Sequence, residues 1–124
     1  MENTGLAQQI AKILYDKKAL DITVLNVAHL TVITDYMVIA TGRSTLQVKA
    51  LADDVDDALA MEGIVLRAKE GQGEGRWIVL DYGTVLVHIF HPEDRKFYHL
   101  ERLWEDGTNR VPLPFPEAEE KPQA

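Results

Sequence analysis

Between Trp77 and His91 the chain reads Trp-Ile-Val-Leu-Asp-Tyr-Gly-Thr-Val-Leu-Val-His-Ile-Phe-His, two β-rich runs on either side of Gly83-Thr84. A two-residue loop led by glycine suits a type II′ hairpin turn, and such a turn sets the register of both strands. Tyr82 then faces Val85, Asp81 faces Leu86, Leu80 faces Val87, Val79 faces His88, Ile78 faces Ile89 and Trp77 faces Phe90. Side chains alternate across a strand, so the hairpin has two unlike faces. Ile78, Leu80, Tyr82, Val85, Val87 and Ile89 make one of them, which is core in character. Trp77, Val79, Asp81, Leu86, His88 and Phe90 make the other. That second face is too apolar for open water and too polar for a quiet core, and it is the candidate partner-binding surface.

The rest of the chain supplies what such a hairpin packs against. Leu6, Ile10, Ile13 and Leu14 fall at helical spacing, which predicts an amphipathic helix over about Thr4–Lys18. Asp21–Val27 and the apolar run Tyr36–Thr41 read as strands, the second an interior one. Ser44-Thr45-Leu46-Gln47 has the form of a capping box. The helix after it sets Val48, Leu51, Ala52, Val55 and Leu59 on one side, and Gly63 is placed to end it. Ile64–Lys69 reads as a further strand and Glu70–Arg76 as a hairpin connection. Pro92 suits the first turn of a helix, and Phe97, Leu100, Leu103 and Trp104 follow at helical spacing and can pack down. Residues 1–110 are thus expected to form a single domain of mixed α/β class, and 111–124, rich in proline and glutamate, a disordered tail.

Composition narrows the functional classes. The 124 residues include no cysteine, so disulfides, thiolate metal sites and cysteine nucleophiles are excluded and a cytoplasmic location is expected. No apolar run approaches the roughly 20 residues of a membrane span, and no signal peptide is expected at the N-terminus. The formal net charge is −7 with no long basic run, which argues against direct DNA or RNA binding. It suits a basic protein partner, although acidity also serves solubility alone.

Several local patterns invite catalytic or metal readings, and each has a blander competitor. His88 and His91 lie three apart on a strand, so their imidazoles point to opposite faces and cannot share an ion. His88 shares a face with Asp81, but no nucleophile or oxyanion device stands beside them. The aspartates 53, 54, 56 and 57 are better read as a solvated helix face than as a metal site. The glycines of Glu70–Arg76 lead into a strand and lack the lysine or helix N-terminus of a phosphate cradle. Gly42-Arg43-Ser44 opens a helix, as nucleotidyltransferase phosphate sites do, but Asp81 has no second carboxylate to hold magnesium with it. No catalytic residue, metal ligand or cofactor is therefore expected.

Taken in succession, the segments resemble the ribosomal silencing factor S family, also called iojap-like proteins. The resemblance is carried by Thr34-Asp35-Tyr36-Met37-Val38-Ile39-Ala40-Thr41-Gly42-Arg43-Ser44, Gln47-Val48, Ala52-Asp53 and Glu70-Gly71. It continues through Trp77-Ile78-Val79-Leu80-Asp81-Tyr82-Gly83, Val87-His88, Arg95, Phe97-Tyr98, Leu100-Glu101 and Leu103-Trp104. Order and spacing hold from about Leu6 to Trp104. The resemblance implies a mixed αβ fold related to nucleotidyltransferases without their catalytic carboxylates, and a homodimer in free solution. It implies a non-enzymatic protein that binds the large ribosomal subunit through ribosomal protein L-fourteen and blocks joining of the small subunit. Translation is thereby repressed under nutrient limitation. The rival is a small nucleotidyltransferase-like enzyme using Asp81. Leu46, Arg76 and Thr84 depart from the family's usual residues and are expected to alter contacts at one edge of the interface.

Overall fold

The computed structural model describes residues 4–116. Helix α1 (Thr4–Asp16) leads into β1 (Leu20–Asn26) and β2 (Tyr36–Thr41), followed by α2 (Thr45–Ala60). Then come β3 (Ala68–Glu70), β4 (Trp77–Asp81), β5 (Val85–Phe90), α3 (Pro92–Tyr98) and α4 (Glu101–Trp104). The five strands form one mixed sheet in the order β1-β2-β5-β4-β3. β2 and β5 run parallel at its centre, and every other pairing is antiparallel.

The hairpin has the expected register, with Trp77 opposite Phe90, Val79 opposite His88 and Asp81 opposite Leu86. Its turn depends on Gly83, whose φ of +88° lies in the left-handed region that side chains with a Cβ avoid. At the far end of β4, Gly71 also has φ +88°, and a Cβ there would stand 2.0 Å from the Trp77 carbonyl oxygen. Glycine at that point lets the connecting loop lie against the start of β4.

Alternation along the strands divides the apolar residues between two clusters. On the first face Val38, Ala40, Ile78, Leu80, Val87 and Ile89 are buried beneath α1 and α2, whose Ile10, Leu14, Leu51, Val55 and Leu59 complete the core. Ser44 caps α2 by accepting from the Gln47 N–H at 3.1 Å. Gln47 reaches back to the Arg43 N–H at 2.6 Å, one residue before the cap. On the second face Leu25, Val27, Met37, Ile39 and Phe90 meet Leu100, with Trp77, Leu86 and Trp104 partly buried around them.

Three expectations need correction. The strand expected over Ile64–Lys69 pairs only at Ala68–Glu70, preceded by one bond from the Arg67 N–H to the Asp81 carbonyl. Ile64 and Leu66 still tuck into the core, so the alternation is real but lies mostly beyond the sheet edge. The single C-terminal helix is broken at His99, which adopts φ 46°, ψ 55°. Phe97 and Leu103 consequently point outward, 78% and 73% exposed, while Leu100 is buried. Finally, the chain does not leave the domain after Arg110. The Val111 N–H donates to the Val24 carbonyl at 2.8 Å, and Phe115 stacks on Tyr15 with ring centroids 4.1 Å apart. Val111, Leu113 and Phe115 pack on the first cluster in strand-like alternation. The remainder of the expected tail, 117–124, lies outside the described residues.

Candidate functional site

The second face of the hairpin is only partly roofed. Trp77 and Val79 on β4, Asp81 beside the turn and Leu86 on β5 are all half-buried. Their partners in the expected set lie deeper. His88 is 6% exposed and Phe90 0% exposed. Phe90 therefore belongs to the core rather than to a contact surface. What covers it is nonlocal: Leu100 joins its cluster from beyond the helix break.

Trp77 is the hinge between buried and exposed parts. Its ring stacks on Phe90, with centroids 4.8 Å apart and planes at 26°. On its other side it meets Tyr98 at 4.9 Å, tilted by 44°. Tyr98 in turn takes Phe97 edge-on at 4.9 Å. An aromatic series thus runs from the core residue Phe90 through Trp77 and Tyr98 to the exposed Phe97. The sequence reading missed Phe97 and Tyr98 as surface groups, because helical spacing predicts that Phe97 packs down. His99 with a left-handed backbone is the cause, and a histidine carries little signal for it.

The polar groups of the face are committed within the chain. The indole Nε1 of Trp77 donates to Nδ1 of His88 at 3.2 Å. Burial lowers the His88 pKa to about 4, so the ring is neutral near pH 7. Asp81 Oδ1 accepts the Gly83 N–H at 2.8 Å, bracing the turn. Arg76 turns away to Asp94 at 2.6 Å and Glu93 at 3.2 Å, in the first turn of α3. Hydrogen bonds to Asp94 and then Glu93, reinforced by their charges, raise the arginine's pKa above its ordinary value.

The remaining chemical candidates have structural employment. His91 Nδ1 accepts the Glu93 N–H at 3.2 Å as the cap of α3. Asp56 accepts from the Tyr82 hydroxyl at 3.3 Å, and burial followed by the Asp56 charge raises the phenol's pKa. Asp53 lies 3.5 Å from the Lys69 ammonium. Among the described residues no three His, Asp or Glu side chains gather as a metal site, and no helix is long and apolar enough to cross a membrane. The site offers a mixed aromatic and aliphatic surface with one carboxylate.

The family model described as "Ribosomal silencing factor during starvation" matches residues 1–124. The ribosomal silencing factor of Bacillus subtilis is 41% identical over 92 residues, covering 74% of this chain and 78% of that protein. That of Halalkalibacterium halodurans is 37% identical over 107 residues, covering 86% and 92%. The chloroplastic protein Iojap of Zea mays is 35% identical over 117 residues, covering 92% of this chain and 49% of that protein. A crystal structure of a Chromobacterium violaceum protein superposes with a TM-score of 0.81 at 34% identity, covering 96% of this chain and 98% of that one.

Proposed function

The chain belongs to the ribosomal silencing factor family, and on that footing we propose that it binds the large ribosomal subunit through ribosomal protein L-fourteen. Seated there, it blocks association with the small subunit and represses translation under nutrient limitation. The observation that carries this reading is the half-exposed Trp77, set between Phe90 and Tyr98 in a face that also presents Val79, Asp81 and Leu86. Interface cores are enriched in aromatics, and tryptophan is a frequent hot spot. The net charge of −7 suits a basic ribosomal partner, with Asp81 an acidic group on the same face of the hairpin.

The contact set differs from the sequence-based one. Trp77, Val79, Asp81 and Leu86 touch the partner, joined by Tyr98 and Phe97. His88 lies beneath and orients the indole, and Phe90 supports it from below. The same patch is the natural self-contact of the free protein, so we propose a homodimer in solution that exchanges one partner for the other. The site of action is cytoplasmic, with no role for DNA or membrane.

Co-sedimentation of the full chain with purified large subunits tests this directly, followed by a subunit-joining assay monitored by light scattering. Wild-type protein is expected to pellet with large subunits and to suppress joining when added first. Failure to pellet, or pelleting without any effect on joining, would overturn the proposal.

A further inference from the structure

Arg95 is the most heavily bonded side chain at the C-terminal end of the fold. Its Nε and Nη2 donate to Glu101 Oε2 at 2.9 and 2.8 Å. Nη1 donates to the Asp21 carbonyl at 2.5 Å and to Thr41 Oγ1 at 3.0 Å, and Nη2 reaches Thr23 Oγ1 at 3.4 Å. One guanidinium thus ties α3 to α4 and both to the ends of β1 and β2. Arg95 and Glu101 are 11% and 15% exposed. Surface hollows of about 440 and 290 Å³ are both lined in part by the pair.

The pair is incompatible with a continuous helix. Six residues of α-helix turn through roughly 600° and rise about 9 Å, which leaves residues 95 and 101 on different sides of the cylinder. Their contact exists because the helix breaks at His99, whose left-handed backbone is disfavoured for a residue with a Cβ. Helix α4 is itself only four residues long and lacks a side-chain cap. Local support for the break is limited to the His99 N–H bond to the Arg95 carbonyl and to Glu101 in the first turn of α4, and the continuous alternative would set Phe97, Leu100, Leu103 and Trp104 along one apolar stripe.

We propose that the Arg95–Glu101 pair is a positioning latch, which selects the broken α3–α4 geometry and so holds Tyr98 against Trp77 and Phe97 toward the ribosomal partner. It rests on the reading of that aromatic surface as the ribosome-binding site. The latch residues do not touch the partner. They set how much of the protein is already in the binding geometry, and apparent affinity falls with that fraction.

The test uses four full-length proteins: wild type, Glu101→Ala, His99→Gly, and Glu101→Ala combined with His99→Gly. Glycine favours the left-handed backbone without the ion pair, so it offers the break by another route. Each is assayed for large-subunit co-sedimentation and, by NMR, for close contacts between the Trp77 and Tyr98 rings. Glu101→Ala is expected to melt cooperatively, to lose the ring contacts and to bind at least ten-fold more weakly. Adding His99→Gly is expected to restore both to near the wild-type values. Unchanged affinity in Glu101→Ala overturns the latch, as does a loss that His99→Gly fails to repair. Should Glu101→Ala not fold, Arg95→Lys takes its place, since lysine keeps one bond but not the fork. If wild type itself does not bind subunits, the ribosomal reading falls, and ring contacts retained in Glu101→Ala separately sink the latch.

Discussion

The indole of Trp77 donates a hydrogen bond to Nδ1 of His88 across the β4–β5 pairing, at 3.2 Å. An indole N–H can only donate, so Nδ1 must be unprotonated and the ring's proton sits on Nε2. That second nitrogen is buried and has no hydrogen-bond partner among the described residues. Protonating the ring would therefore both desolvate a charge and set two N–H groups against each other.

This arrangement predicts acid sensitivity that begins above the carboxylate range. Burial lowers the folded-state pKa of His88 to about 4, against an ordinary value of 6.5. The unfolded chain therefore takes up a proton as pH falls through 6.5, while the folded chain resists until about 4. Stability is fully present above the higher value and is lost across that window, by about 2–3 kcal/mol. Urea unfolding at pH 7.5 and pH 4.5 measures the loss. His88→Asn keeps an acceptor for the indole but cannot titrate, so its loss over the same interval should be smaller by most of that amount. An equal loss in both proteins would show that His88 is not the sensor.

Trp77 and Phe90 stack on each other yet should fail differently. Phe90 is 0% exposed, and Phe90→Ala should cost about 3–5 kcal/mol of stability, the usual range for an aromatic deleted from a core. Trp77 is half-buried, so Trp77→Ala should cost the fold less. It should instead weaken large-subunit binding by about 2 kcal/mol, roughly thirty-fold. Thermal melts and co-sedimentation on both variants decide the matter. Full binding by a folded Trp77→Ala protein would remove Trp77 from the interface.

What could be read from sequence, and what could not, follows from the range of each interaction. The hairpin register was legible because Gly83 fixes it locally and alternation does the rest. The cap at Ser44 was legible for the same reason, lying within three residues of its partner Gln47. The six residues expected on the second face do share it, but they lie at different depths. Burial of Phe90 depends on Leu100, which arrives only because the helix breaks at His99. That break is supported by Arg95 reaching Asp21, Thr23 and Thr41, contacts more than fifty residues away in sequence that no local pattern encodes. The C-terminal segment is a different case. Val111, Leu113 and Phe115 alternate with Pro112 and Pro114, a period-two signal hidden by the prolines and the acidic residues beyond.

That segment supplies a third prediction. Truncation after Arg110 removes the Val111 bond to Val24, the Gln8 bond to the Pro112 carbonyl at 2.8 Å, and the Phe115–Tyr15 stack. Losing three partly buried apolar side chains should destabilise the domain by about 2 kcal/mol or more, a drop in melting temperature of roughly 8 °C. Truncation after Pro116 retains these contacts and is the matched control. Equal melting temperatures for the two truncated chains would show that residues 111–116 add nothing to stability.

The last prediction separates contact from catalysis at Asp81. Its Oδ1 accepts the Gly83 N–H at 2.8 Å, a bond that the amide oxygen of asparagine can also make. Asp81→Asn should therefore fold with stability within about 0.5 kcal/mol of wild type. If Asp81 meets a lysine or arginine of the ribosomal partner, the neutral variant should bind large subunits more weakly, and the difference should shrink as salt is raised. Purified wild-type protein should show no magnesium-dependent transfer or hydrolysis of nucleotides, because the turn carboxylate has no second carboxylate beside it on β4. Calorimetry with magnesium and each nucleoside triphosphate, alongside a turnover assay, checks this. Turnover that is present in wild type and abolished in Asp81→Asn would replace the binding role of this residue with a catalytic one.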